Sequence, residues 1–212
     1  MWCMPMKIKY KYIAFEGTPL TGKTTHAKNL CRFLQELGYD VSYYKFAPSL
    51  SNFGHLLLFL RNYNLPKLVI DHLYVADSIM NDIRIRRDLK RGKIVICDKY
   101  LPSLNSFFKT FREGVGHQIL IGEIEVLEKF ILEPDILFYL FCDFKEKLYR
   151  MRKKDDISYY DLSLLSDRRI LEKLESNLEE SLNRYRNIIK INTTKSIEEV
   201  DKEILNIVLE EK

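Results

Sequence analysis

Apolar residues along this chain follow two patterns. Some form short continuous runs, and others recur with a helical period over longer segments. Five short runs are typical of strands, and the continuous ones are typical of strands buried on both faces of a parallel sheet. They lie at residues 12–15, 41–46, 93–98, 136–142 and 188–191. Helical spacing occurs at residues 23–37, 54–61, 66–91, 103–112, 118–132, 145–151, 162–186 and 196–209. Because strands alternate with helices, we predict an α/β fold with about five parallel strands and helices on both faces.

Length and charge favour a single domain that acts on small molecules. A chain of 212 residues is long enough for one well-packed core, and we predict one domain with a short lid at about residues 150–162. The 34 basic and 30 acidic residues give a net charge of +4. That charge is too small to indicate nucleic acid or membrane as a main partner.

The apolar segments and the cysteines of the sequence both favour a location inside the cell. The sequence has neither an apolar span of 20 residues nor a signal peptide, so we expect a cytoplasmic protein. Cys3, Cys31, Cys97 and Cys142 lie far apart and form no CxxC pair. We therefore expect reduced thiols and no zinc site.

Residues 17–24, with the sequence GTPLTGKT, match the phosphate-binding pattern G-x-x-x-x-G-K-[ST] at every fixed position. The match lies between a predicted strand and a predicted helix, which is the context that the pattern requires. Gly17 and Gly22 would let the backbone turn tightly and present its N–H groups, next to the positive end of the helix dipole. Lys23 would reach the β and γ phosphates of a triphosphate, and the Thr24 hydroxyl would ligate Mg²⁺. A glycine turn with an exposed lysine is the alternative interpretation.

Other loop residues complete the predicted ATP-binding set, which consists of Gly17, Thr18, Thr21, Gly22, Lys23, Thr24 and Thr25. Pro19 removes one N–H donor from this loop. Asp98 ends the buried run 93–98, where the carboxyl end of a parallel strand opens on a binding site. Asp98 is therefore well placed for chemistry; a carboxylate that only caps a turn is the alternative.

Further segments occur in an order that is characteristic of one enzyme family. They are Phe15-Glu16-Gly17, Phe46, Gly54-His55-Leu56-Leu57, residues 72–77 (HLYVAD), residues 92–98, Asp98-Lys99-Tyr100 with Ser103 and Phe107, and residues 133–140 (EPDILFYL). From about residue 12 to residue 192 the sequence thus resembles the thymidylate kinase family of P-loop nucleotide kinases. The resemblance implies a P-loop NTPase-type three-layer fold.

The resemblance also implies transfer of the γ-phosphoryl group of Mg-ATP to a pyrimidine deoxynucleoside monophosphate, with dTMP as the favoured acceptor. Thr24 would hold Mg²⁺, with Asp98 as an outer or water-mediated partner of the ion. Lys23 would bridge the donor and acceptor phosphates, while Arg150 and Arg152 would close over the transferred group from the lid. The acceptor would be bound by Phe46, Tyr74, Lys99, Tyr100, Ser103 and Phe107. The alternative for the two arginines is that they only lie on a solvated helix face. Each aromatic residue could instead belong to the core. Relatives in the family are commonly dimers, and the apolar faces of segments 66–91 and 118–132 would suit such an interface; purely intramolecular packing of both faces is the alternative.

Four positions depart from the family pattern on the acceptor side. Pro19 replaces an acidic residue, Ser49 and Ser78 replace arginines, and Lys99 replaces the arginine of D-R-Y. A charged hydrogen bond contributes about 1.5–3 kcal/mol, so these losses would weaken dTMP binding unless other cations replace them. Candidates for replacement are Arg61, Arg84, Arg86 and Arg87.

Two other functions remain open at the level of sequence. Loss of phosphate-binding arginines would suit a kinase for an unphosphorylated deoxynucleoside, but Ala47-Pro48-Ser49 offers no general base after the second strand. A non-catalytic ATP-binding protein would keep the loop and lack a productive acceptor site. Asp98 and the basic segment near residue 152 argue against that alternative.

Overall fold

A computed structural model of the chain describes residues 7–46, 48, 51–60, 62–63, 65–154 and 159–209. Cys3, Ser49, Arg61 and part of the predicted lid lie outside these residues. Five strands form one parallel sheet in the order β2-β3-β1-β4-β5. They are β1 (Tyr12–Glu16), β2 (Val41–Lys45), β3 (Ile94–Asp98), β4 (Ile136–Phe141) and β5 (Ile188–Asn192). The predicted strands and their parallel arrangement are therefore confirmed.

The described helices lie between these strands along the chain, except for the last, which follows β5. They are α1 (Lys23–Glu36), α2 (Asn52–Leu60), α3 (Lys67–Lys90), α4 (Leu101–Phe111), α5 (Val115–Leu127), α6 (Phe144–Arg152), α7 (Tyr159–Ser166), α8 (Arg168–Leu182) and α9 (Ile197–Val208). None of these helices has the length and apolar character needed to cross a bilayer.

Alternation along the strands divides the core into two layers. Ile13 and Ile96 face α1 and α9, whereas Ala14 and Cys97 face α3, α4, α5 and α8. Side chains on successive strand positions point to opposite faces, so buried runs of continuous apolar residues supply both layers at once. The prediction of helices on both faces is confirmed.

Two helix boundaries differ from the sequence prediction. Segment 162–186 is not one helix, because Asp167 leaves the helical conformation and its Oδ1 accepts the N–H of Arg169 (3.0 Å), which caps α8. α5 ends at Leu127 rather than residue 132, and the N–H of Leu132 instead donates to Asp82 Oδ1 of α3 (2.8 Å). In both cases an aspartate carboxylate accepts a backbone N–H that a continued helix would have bonded within itself.

The carboxyl ends of β1, β2 and β3 meet at one edge of the sheet, where β1 runs into the loop that precedes α1. Parallel sheets of this kind bind ligands at that edge. The fold thus places the glycine loop and Asp98 next to each other.

Candidate active site

The glycine loop turns sharply between β1 and α1. Gly17 has φ +149° and Gly22 has φ +89°, values that residues other than glycine rarely adopt. A Cβ atom on Gly17 would lie 2.3 Å from the carbonyl oxygen of Leu140. Leu20 also has a positive φ of +67°. The glycines at the fixed positions of the motif are therefore required by this backbone.

The Lys23 side chain bends back over the loop. Its Nζ donates to the carbonyl oxygen of Thr18 (2.7 Å), and Thr21 Oγ1 donates to the same oxygen (2.9 Å). Burial lowers the pKa of Lys23 to about 8, although the nearby carboxylates of Asp98 and Glu16 act in the opposite direction. Lys23 is thus held close to the loop, with its charge available at neutral pH.

Asp98 and Thr24 are in direct contact. Thr24 Oγ1 donates to Asp98 Oδ2 (2.6 Å), and the Tyr43 hydroxyl donates to the same oxygen (2.8 Å). Lys45 Nζ lies 3.8 Å from that atom. Burial and the Asp98 charge raise the pKa of Tyr43, so this hydroxyl keeps its proton. The carboxylate that was predicted to face the loop does face it.

This oxygen pair fits Mg²⁺. Mg²⁺ prefers hard oxygen ligands and is commonly held by one or two carboxylates together with substrate phosphates and water. Among the described residues no group of three or more His, Cys, Asp and Glu side chains could hold a metal ion. The protein would therefore share the ion with a bound nucleotide rather than hold it alone.

A cavity of about 270 Å³ opens beside the loop. Its wall includes the predicted site residues Gly17, Thr18, Lys23, Thr24, Asp98, Lys99, Ser103 and Phe107. Pro19, Leu20, Lys45, Ser106, Lys154, Leu174 and Leu178 complete it. Among the described residues the cations at this wall are lysines, and none of the described arginines lies there.

A larger cavity of about 820 Å³ lies on the other side of Lys23 and Thr24 and includes Gly22, Thr25 and Arg150. The two cavities share four wall residues, Leu20, Lys23, Thr24 and Lys154, so they meet at the loop. Such an arrangement can hold two phosphorylated ligands end to end around one lysine.

The two predicted lid arginines lie in the last turn of α6. Arg150 Nη1 donates to the carbonyl oxygen of Leu20 (3.0 Å) and to Thr193 Oγ1 (3.2 Å). Its Nε donates to Glu146 Oε1 (2.8 Å). Arg152 is exposed and lines neither cavity. Arg150 is thus fixed against the loop by its own partners.

Three predicted acceptor residues are not at the cavity wall. Phe46 and Tyr100 are each 1% exposed, and their rings pack edge to face with centroids 5.1 Å apart. The Tyr100 hydroxyl donates to the carbonyl oxygen of Leu132 (2.7 Å). Tyr74 is partly buried against the same core. The structure places these three rings in or against the core and not at the wall of this cavity.

Lys45 and Ser106 line the cavity although neither was predicted as a site residue. Lys45 is the last residue of β2 and pairs in register with Asp98, so its position at a strand end next to that carboxylate was a usable signal. Arg86 donates to Asp82 Oδ2 (2.6 Å) and to the carbonyl oxygen of Phe130 (2.6 Å), and Arg87 lies 3.9 Å from Asp88. These arginines do not contribute to the cavity, nor does Arg84 line it.

Comparisons with known proteins find similarity to one enzyme family. Residues 15–204 match a family model described as thymidylate kinase. A probable thymidylate kinase of Methanocaldococcus jannaschii is 29% identical over 203 residues, which cover 92% of this chain and 93% of the relative. A probable thymidylate kinase of Methanococcus aeolicus is 30% identical over 212 residues, covering 95% and 97%.

The solved structure of a thymidylate kinase from Candida albicans shares the fold. It superimposes with a TM-score of 0.72 at 20% identity, over 95% of this chain and 92% of that one. The predicted P-loop NTPase-type three-layer architecture is confirmed by this similarity.

Proposed function

This chain belongs to the thymidylate kinase family, and from that premise we propose that it transfers the γ-phosphoryl group of ATP to dTMP. It is a nucleotide kinase of that family, so the deoxynucleoside kinase and the non-catalytic alternatives are not favoured. The observation that carries the proposal is the 2.6 Å contact between Thr24 and Asp98, located where two cavities meet at the glycine loop.

ATP would occupy the larger cavity, with its phosphates in the loop. Backbone N–H groups of the loop and of the first turn of α1 would hold the β phosphate, and Lys23 would extend from Thr18 to the transferred group. Mg²⁺, when bound by Thr24 and Asp98, would neutralise charge on the phosphates. Because phosphoryl transfer needs mainly positioning and charge stabilisation, these residues suffice for the donor side.

On the acceptor side, lysines would replace the arginines that the sequence lacks. Lys45 and Lys99 lie at adjacent strand ends beside Asp98, where they would bind the phosphate of dTMP as point charges. Phe107, Leu174 and Leu178 provide an apolar wall for the base. Arg150, Arg152 and the segment at about residues 150–162 would form the lid, with Arg150 bordering the donor site.

An assay that couples ADP release to NADH oxidation tests the proposal. We expect release to be stimulated by dTMP more strongly than by other nucleoside monophosphates, and to fall by at least about a hundredfold in Lys23→Met. Turnover of thymidine but not of dTMP would identify a deoxynucleoside kinase. ATP binding without turnover of any acceptor would identify a non-catalytic protein.

We also propose that two copies of the chain associate through one exposed apolar surface, the α3/α5 surface. It is formed by Ile79, Met80, Ile83, Ile119, Val126 and Phe130, which are 38–71% exposed. The guanidinium of Arg86 in α3 binds the carbonyl oxygen of Phe130, so the two groups of residues are neighbours. An apolar surface of this kind is commonly covered by a partner, and a two-fold dimer would cover it with its own copy.

A further inference from the structure

Glu16 is a buried carboxylate directly beneath the phosphate-binding loop. It ends β1 and is 0% exposed. Burial raises its pKa, while donors on Ser103 and Tyr100 and the charge of Lys23 favour the ionised form. A negative charge at this depth is costly unless it is well paired, and here it lies beside a site built for phosphates. Such a position calls for a reason other than packing.

The contacts of Glu16 connect the two halves of the site. Its Oε1 accepts the N–H groups of Tyr100 (2.8 Å) and Ser103 (3.1 Å), at the start of α4. Its Oε2 accepts the Ser103 hydroxyl and the N–H of Gly17 (3.3 Å), the first residue of the loop. One side chain thus joins the donor loop to the helix that carries Ser106 and Phe107 into the acceptor cavity.

The neighbouring backbone strengthens this connection. Lys99 has a positive φ of +74°, which is strained for a residue with a side chain, and its N–H donates to the carbonyl oxygen of Phe15 (3.0 Å). Phe15 and Glu16 therefore both anchor the segment from Lys99 to Ser103 to the end of β1. The bend places Lys99 at the cavity while the Tyr100 ring enters the core.

These contacts also indicate that Ser103 supports Glu16 rather than binding the acceptor directly. Its hydroxyl and N–H both donate to Glu16, and the N–H of Tyr100 does so as well. Free N–H groups at a helix N-terminus are a common phosphate site, but at α4 the carboxylate accepts the N–H groups of Tyr100 and Ser103, and Pro102 has none. Lysine side chains are then the main charged partners for the acceptor phosphate, and Ser103 lies at the cavity wall as a supporting residue.

We propose that Glu16 is a positioning residue that sets the acceptor-binding start of α4, including Lys99 and Phe107, relative to the phosphate loop. This inference rests on the proposed function. It differs from a purely structural role because the position of Lys99 and α4 governs binding of the acceptor, whereas Lys23 and Thr24 on the donor side are held by their own contacts with Thr18 and Asp98.

The test compares Glu16→Gln with the wild type in steady-state kinetics and calorimetry. The amide keeps one oxygen for Tyr100 and Ser103 but turns an NH₂ group towards the N–H of Gly17. We expect the KM for dTMP to rise about tenfold and kcat to fall, the scale of one charge-assisted hydrogen bond. Because the contact with Gly17 is the longest of the four made by Glu16 (3.3 Å), the Kd for ATP should change by less than about threefold.

Asp135→Asn is the matched control. Asp135 Oδ2 accepts the N–H groups of Lys11 (2.7 Å) and Tyr12 (2.8 Å) at the opposite end of β1, far from the loop along the strand. The substitution should lower Tm without changing either KM. Ser103→Ala, which removes one donor only, should raise the KM for dTMP in the same direction and serves if Glu16→Gln does not fold.

The outcomes separate the two proposals. Wild-type protein without dTMP-stimulated ADP release would overturn the proposed function. An active wild type whose Glu16→Gln and Ser103→Ala variants keep the KM for dTMP, or change both KM values equally, would overturn the role of Glu16. The same result would follow if Asp135→Asn raised the KM for dTMP as much as Glu16→Gln does.

Discussion

At Gly17 the backbone passes so close to β4 that no side chain fits between them. A Cβ there would lie 2.3 Å from the Leu140 carbonyl oxygen and 2.7 Å from Thr21 Oγ1, and the first of these is backbone that cannot rotate away. Lys23, six residues later, is held by the loop's own carbonyl group and has a lowered pKa. Individual residues of the motif are thus constrained by both geometry and charge.

Substitution of Gly17 tests the geometric constraint. We expect Gly17→Ala to lower the free energy of unfolding by at least about 2 kcal/mol, because the close contact and the positive φ both oppose a side chain. Gly122→Ala is the control: Gly122 lies in the exposed part of α5 with nothing within 4 Å of a Cβ, and alanine there should stabilise by about 0.5–1 kcal/mol. Urea denaturation measures both, and equal effects would contradict the explanation.

The charge of Lys23 predicts a pH dependence for ATP binding. With a pKa of about 8 in the free protein, the protonated fraction falls from about nine-tenths at pH 7 to about one-tenth at pH 9. Because the neutral amine attracts phosphate weakly, the Kd for ATP should rise severalfold between these values. Calorimetry at both pH values should show the rise in the wild type and its absence in Lys23→Met. A wild-type Kd that stays constant would contradict the lowered pKa.

Between elements, a buried ion pair links α6 and α8 to the loop. Lys147 of α6 is 2% exposed and its Nζ donates to Glu175 Oε1 of α8. The same oxygen accepts the Thr18 hydroxyl (3.3 Å), and Thr18 in turn accepts Lys23 through its carbonyl group. Glu175 is 35% exposed, so the two partners differ in their access to water.

That difference predicts unequal effects of breaking the pair. Glu175→Gln leaves a buried ammonium group without its charged partner and should cost about 3 kcal/mol of unfolding free energy. Lys147→Met leaves a carboxylate that water can reach and should cost less than about 1.5 kcal/mol. Chemical denaturation gives both values, and a larger loss in Lys147→Met would contradict this account.

For the whole molecule, the sheet has a different environment on each side. α1 and α9 cover one face, while α3, α4, α5 and α8 cover the other and present the α3/α5 surface to the outside. The two cavities open at the sheet edge rather than on that surface. Association through the α3/α5 surface would leave both cavities accessible.

A charge placed on the α3/α5 surface tests this association. Ile83 is 58% exposed, and we expect Ile83→Glu to convert a dimer into a monomer in light scattering coupled to size-exclusion chromatography, because burying an unpaired charge is costly. Phe33→Glu is the control, since Phe33 is 41% exposed on α1, on the opposite side of the sheet. A wild type that is monomeric at micromolar concentration would exclude this interface.

Features that neighbours along the chain decide could be predicted from the sequence. The five strands, the alternation with helices and the loop with its two glycines follow from local patterns, and Asp98 was placed correctly because strand ends in a parallel sheet share an edge. The predicted bounds of α5 and of segment 162–186 were wrong, because Asp82 and Asp167 accept backbone N–H groups that a continued helix would have used.

The sequence by itself therefore determined the α/β architecture, the phosphate-binding loop and the family, since hydrophobic period and motif spacing are local properties. Only the tertiary structure decided which side chains reach the cavity. Phe46 and Tyr100 pack into the core, while Lys45 and Lys99 line the site beside Asp98. The physical reason is that a side chain's direction depends on the backbone turn at Lys99 and on contacts such as those of Glu16 with α4, which join residues more than 80 positions apart.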